Sequence, residues 1–287
     1  MKSNYALRVL ADITAYQWGM VTSRQANAVG VSRSMLSRLA DAGHLQRLAF
    51  GVYKDSGVPS DGFDDLRAAW LSTEPDKLAF ERLRHKSNGV VIASTSAALL
   101  HGIGDLWEGR HEFVAPVRRQ SQRSEIRYRK RSLTPEDIRL VEGLPVMSIE
   151  RTIADLVEEV KDISLVADVL SDVVIKRRIN FDRLEELLVP LAARNGFKKD
   201  DGKALLNLIL EEAGADNETL ARLVAMQSEL GNLVISNYLK NIKIDLPPES
   251  PKIIENISEK FTISDEIIAK NQEILSKILN TRKGGEE

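Results

Sequence analysis

Residues 21–43 place apolar positions at helical spacing on both sides of a glycine. Thr22 is a good helix cap, and Gln25 stands three residues later, the spacing of a capping box. The helix it starts reaches Val29, where Gly30 supplies the positive φ that other residues resist. Ser32 caps a second helix through about Ala42, and Gly43 ends it. Two helices that cross steeply need a small residue where they touch. Ala26 provides it, Gly30 follows at the turn, and Leu36 and Leu39 face back toward the first helix. This spacing predicts a helix-turn-helix. The outward positions of the second helix are Arg33, Ser34, Ser37 and Arg38, a face with no acid before Asp41. Beyond it, two short β-prone runs flank Phe50-Gly51 and predict a hairpin of the kind called a wing. Ahead of it, MKSNYALRVLADITAY carries charges within an apolar pattern and reads as a first helix, not a signal peptide.

After a turn-rich boundary from Asp55 to Gly62 the pattern becomes mixed. Helices are predicted over Phe63–Thr73 and Ser94–His101, and strands over His111–Val117 and Ile126–Lys130, the latter with a period of two. The two strands suit a hairpin with a charged connection. Ser148 caps a further helix with Ile153, Leu156, Val157 and Val160 as its apolar stripe. Helices follow at about Ile163–Ile175, Phe181–Ala193 and Gly202–Ala213. The remainder reads as helix interrupted at Pro247-Pro248, with starts at Ser250-Pro251 and Ser264. The expected class is therefore α+β. A winged helix-turn-helix occupies residues 1–57, a mixed α/β domain with a small sheet 58–213, and a helical C-terminal extension 214–287.

Charge sharpens the picture locally. The 287-residue chain has a formal net charge of −2, so its bulk charge does not advertise a nucleic-acid partner. Residues 1–60, however, hold seven Lys/Arg against three Asp/Glu. The candidate DNA contacts are Thr22 and Arg24 on the first helix, Ser32, Arg33, Ser34, Ser37 and Arg38 on the second, and Arg47 and Lys54 on the wing. Such side chains donate to phosphates and base edges, arginine to guanine being the commonest specific contact. The bland alternative is an amphipathic helical hairpin with solvated charges. A second basic run contains Arg118, Arg119, Arg123, Arg127, Arg129 and Arg131 with Glu125 as its lone acid. It reads either as a patch for nucleic acid or an acidic partner, or as a solvated sheet edge protected by charge.

The remaining chemistry is thin. There are no cysteines, which excludes disulfides and thiolate sites and fits a reducing cytoplasm. His44, His85, His101 and His111 form no zinc spacing. His101-Gly102-Ile103-Gly104 lacks the lysine and hydroxyl of a phosphate loop, and a helix with a glycine stop explains it better. No Asp-x-Asp of a nucleotidyl transferase and no G-x-S-x-G elbow occur. Arg151 and Asp155 are four apart and fit a simple helix pair. No enzyme, cofactor or metal is expected, and no apolar run approaches the roughly 18 residues of a membrane span.

Four stretches of residues 1–213 resemble the AbiEi family, the antitoxins of type IV (abortive-infection) toxin–antitoxin systems. VSRSMLSRL from Val31 resembles the recognition helix, and RLAFGVY from Arg47 the wing. SAALLHGI from Ser96 is similar to a small-residue and His-Gly segment. GLPVMSIERTIADL from Gly143 resembles the most recognisable block, where a proline is usual at the Ile149 position. The resemblance implies an antitoxin with a role in phage defence. Its winged helix would repress its own operon at inverted repeats in double-stranded promoter DNA. Its second domain would counteract a co-encoded nucleotidyltransferase-like toxin, in many members without a stable complex. Two alternatives stay open: a winged-helix transcriptional regulator with a ligand- or partner-sensing domain, and an antitoxin that binds its toxin directly through the helical tail.

Overall fold

The computed structural model describes residues 3–84, 86–106, 109–160, 162–176 and 179–213. The predicted tail helices lie outside the described residues.

The N-terminal unit comprises α1 (Ser3–Thr14), β1 (Met20–Thr22), α2 (Ser23–Ala28), α3 (Arg33–Asp41), β2 (Leu45–Ala49) and β3 (Val52–Asp55). The strands form an antiparallel sheet in the order β1-β3-β2. Ala6 and Leu10 of α1 pack with Val21, Ala26, Val31, Met35, Leu36, Leu39, Leu45 and Tyr53 in one apolar core. Ala26 is fully buried, as the crossing of α2 and α3 requires. Gly30 turns the chain at φ +83°, in the left-handed region that glycine enters without a Cβ penalty. Together these elements are a winged helix.

The second unit continues with α4 (Asp64–Thr73), α5 (Ala79–Arg84), β4 (Val91–Ile92), α6 (Ser94–His101), β5 (His111–Ala115), β6 (Ile126–Lys130), β7 (Ile138–Val141) and β8 (Leu144–Met147). Helices α7 (Ile149–Glu159), α8 (Ile163–Lys176), α9 (Phe181–Leu188) and α10 (Gly202–Glu212) complete it. Its five strands are ordered β6-β5-β4-β8-β7. Helix α6 sits between two cores: Ala97 and Leu100 join the sheet and α4, while Ala98 joins the cluster built by α7 to α10.

The hairpin expected from the two basic strands is not formed. β5 and β6 pair in parallel, His111 opposite Ile126 and Ala115 opposite Lys130. Parallel neighbours need a connection that returns the chain to its starting end. Residues 116–125 make that return past the C-terminal end of α4. There Arg119 donates to the Thr73 carbonyl (3.1 Å) and to Glu74, and Arg123 to the Ser72 hydroxyl (2.7 Å). Cations are favoured at that pole of a helix.

The two units share apolar packing. Met20 and Val52 of the wing sheet are buried in the same core as Leu66, Trp70 and the five-stranded sheet. Trp18 meets Trp70 edge-on at 6.1 Å. The β7–β8 turn is Glu142-Gly143, with both residues at positive φ, as tight two-residue hairpins require. A Cβ on Gly143 would stand 2.9 Å from the Trp18 ring, so glycine lets this turn close on the N-terminal unit.

Candidate DNA-binding face

The helix-turn-helix is assembled from local bonds. The Thr22 hydroxyl accepts from Gln25 N (3.1 Å), and Gln25 Oε1 accepts from Thr22 N (2.9 Å), closing the capping box. Gln25 is also held from outside, by Gln17 Nε2 (2.8 Å) and by its own donation to the Lys77 carbonyl (2.7 Å). Ser32 caps α3 by accepting from Met35 N (3.3 Å). Met35, Leu36 and Leu39 turn inward, which fixes the opposite face of α3 outward.

That outward face carries the predicted side chains. Ser32, Arg33, Ser34, Ser37 and Arg38 are all exposed. Arg38 Nε reaches the Ser34 carbonyl one turn back (3.4 Å). Among the described residues neither Arg33 nor Arg38 is in an ion pair, so both guanidinium charges face solvent uncompensated. On the wing Arg47 is exposed, with its guanidinium 5.7 Å from the centre of the Phe50 ring.

Two expected contacts, Lys54 and Thr22, need correction, and a third, Arg24, is engaged at the surface. Lys54 is 1% exposed and does not reach the surface. Its Nζ lies 2.5 Å from Asp64 Oδ2 and donates to the Pro59 carbonyl (2.9 Å). The cause is tertiary. Lys54 lies on the same face of β3 as Val52, the face that packs against the second unit, and it survives burial by taking a carboxylate partner there. Thr22 is fully buried, and its hydroxyl donates to the Pro75 carbonyl. It is a cap, with no surface left for a phosphate. Arg24 is exposed but leans on Asp76 at 3.2 Å, a surface pair of little energetic weight that must open for Arg24 to meet DNA.

The Arg118–Arg131 run is largely neutralised from within. Arg127 pairs with Glu112 (2.9 Å) and Glu159 (2.6 Å). Arg129 pairs with Asp155 and Glu159, and Arg131 with Asp155 and Glu158. Burial opposes the Arg129 charge, but its hydrogen bonds to Asp155 and the charges of Asp155, Glu159 and Glu112 together outweigh it and hold its pKa above the ordinary arginine value. Arg119 contacts Glu74 at 2.8 Å. Glu74 also receives Arg82, whose pKa burial pushes down to about 9 against the attraction of that carboxylate. Arg118 alone of the six is exposed with no ion pair among the described residues. The predicted Arg151–Asp155 helix pair does not form either. Asp155 is fully buried and gives both oxygens to β6, leaving Arg151 without an ion pair among the described residues. Burial and then the nearby Arg131 charge lower the Arg151 pKa.

Sequence reasoning passed over Phe50. It is 77% exposed at the wing tip, with the Arg47 guanidinium 5.7 Å from its ring centre. Its signal was available: a large aromatic directly before the turn glycine, where a solvated polar residue is usual.

A winged helix with an uncompensated basic face is the arrangement of a DNA-binding regulator. Residues 8–53 match a family described as transcriptional regulator, AbiEi antitoxin, and residues 89–197 match the AbiEi antitoxin C-terminal domain. The chain belongs to the AbiEi antitoxin family. No curated protein matches it. Among solved structures it is similar to the RV2827C protein from Mycobacterium tuberculosis, at 19% identity and a TM-score of 0.46 over 77% of this chain and 81% of that one. Among the described residues no helix is long and apolar enough to cross a membrane, and no cluster of three metal-ligating side chains occurs.

Proposed function

We propose that this antitoxin represses its own operon by seating α3 in the major groove of inverted repeats in its promoter. A co-encoded nucleotidyltransferase-like toxin is the target of its second unit, and its place of work is the cytoplasm. The observation that carries the DNA half is the exposed, acid-free set Arg33, Ser34, Ser37 and Arg38 on a chain of net charge −2. Bulk charge does not draw such a protein to DNA, so the local face must do so. The toxin half rests on family membership. The role is non-enzymatic: the chain acts by occupying DNA and opposing its partner.

Two measurements test this. Fluorescence anisotropy with DNA from upstream of its own gene, at about 50 and 200 mM salt, should show a strong salt dependence and a clear preference over random duplex. Equal binding to both duplexes refutes operator recognition. Expression of the adjacent gene should arrest growth, and co-expression of this chain should relieve the arrest. An adjacent gene without toxicity refutes the antitoxin pairing.

A further inference from the structure

The wing is built more rigidly than a phosphate contact needs. β2 and β3 pair with Arg47 opposite Tyr53 and Ala49 opposite Val52, so Leu48 is the extra residue of a β-bulge. Successive side chains on a regular strand point to opposite faces. Here Leu48 and Ala49 both pack against the core that includes Leu66 of α4, a placement the bulge makes possible. The turn is pinned from another direction, because Ser23 N donates to the Gly51 carbonyl at 2.7 Å. The tip is thus backed by the second unit on one side and tied to the start of α2 on another. Phe50, on this braced tip, is 77% exposed. Arg47 sits 5.7 Å from its ring centre and gives the tip a positive charge.

We propose that Phe50 is a wedge, inserted between base pairs from the minor groove beside the α3 site, with Arg47 held in the same groove by its negative potential. The proposal rests on the DNA-binding reading above. An apolar wedge unstacks a base step at a cost of a few kcal/mol, recovered through the added protein surface, and a soft tip would fold back instead of entering. The bulge, the α4 backing and the Ser23–Gly51 bond supply the stiffness. The stacked guanidinium supplies the attraction to the groove, since arginine is drawn to narrow minor grooves. A basic, aromatic tip on the same unit as the acid-free face of α3 fits duplex DNA better than an apolar protein surface, which would leave the Arg47 charge uncovered.

The test uses the full chain and duplexes covering the DNA upstream of its own gene, with 2-aminopurine placed at successive positions. This base brightens when it unstacks. Wild-type binding should brighten it at one step per half-site. Phe50→Ala should abolish the brightening and weaken binding about tenfold, while Phe50→Trp retains both. Because Phe50 is exposed, thermal unfolding should be the same in all three proteins. If wild type binds its promoter DNA with every probe base still stacked, the wedge is wrong and the DNA reading stands. If Phe50→Ala brightens the probes as wild type does, the wedge is likewise wrong. If wild type shows no preference for this DNA over random duplex, both readings fall together.

Discussion

Two arginine-rich regions lie in this chain, and the structure treats them in opposite ways. The 118–131 run is the denser, yet Arg119, Arg127, Arg129 and Arg131 are bridged to carboxylates. Arg33 and Arg38 on α3 are only two, and both stand free of ion pairs among the described residues. The difference lies in what each element faces. β6 packs against α7, which presents Asp155, Glu158 and Glu159, so its arginines fasten the sheet to the helical cluster. Among the described residues the outer face of α3 is exposed. Charge density along a sequence therefore reports little about binding until the compensating acids have been located.

The comparison is broken most severely by removing the shared acid. Asp155→Ala leaves Arg129 and Arg131 partly buried without their common partner and should destabilise the fold by about 3 kcal/mol, measured by urea unfolding. DNA affinity of the folded fraction should stay unchanged. If affinity rises instead, the freed arginines reach DNA and the two regions are not separate.

Arg33→Ala should do the converse. Stability stays near wild type, while promoter affinity falls by about 1–3 kcal/mol and discrimination against random duplex shrinks with it. An equal loss on both duplexes would make Arg33 a phosphate contact instead of a base reader.

A smaller effect is expected at Glu74, which joins Arg119 of the run to Arg82. Burial opposes its charge, but the Arg119 hydrogen bond and the charges of Arg82, Arg119 and Lys77 together outweigh it, and the pKa lies below the ordinary glutamate value. A carboxyl with a lowered folded pKa contributes stability above its unfolded pKa and loses it as pH falls through the folded one. Glu74→Gln should therefore cost about 1 kcal/mol near neutral pH. The gap from wild type should close in acid, below the glutamate range, when unfolding is followed against pH. A gap independent of pH would mean that shape, not charge, holds this corner.

Much of the frame was legible in the sequence where caps and periodicity agree. Ser94–His101 and Ile126–Lys130 appear with the predicted bounds, and the outward face of α3 follows from its three inward residues. The rest needed tertiary information. β1 and β4 have three and two residues, too short to show a period. Missing β1 hid the central place of β3, and the burial of Lys54 comes from the second unit packing on the Val52 face of that strand. The direction of β6 was set by where residues 116–125 travel, which alternation within a strand does not encode. The acids that quench the basic run come from Glu74 and α7, far away in sequence, and from Glu112 on the neighbouring strand β5.

The finest test of the contrast is Arg118, an exposed arginine of the run with no ion pair among the described residues. It lies in the β5–β6 connection, away from Asp155, Glu158 and Glu159, which compensate Arg129 and Arg131. If freedom from acids alone made an arginine a DNA-binding residue, Arg118 would qualify. Position must also count. Binding requires the residue to lie on the surface that meets the duplex when α3 is seated, and Arg118 belongs to the second unit. Arg118→Ala should accordingly leave both stability and promoter affinity unchanged. The slope of log affinity against log salt should also hold, whereas removing one neutralised phosphate from the interface would make it shallower by about 0.9. A change of that size would extend the DNA-binding face from the wing onto the second unit and make the return connection part of it.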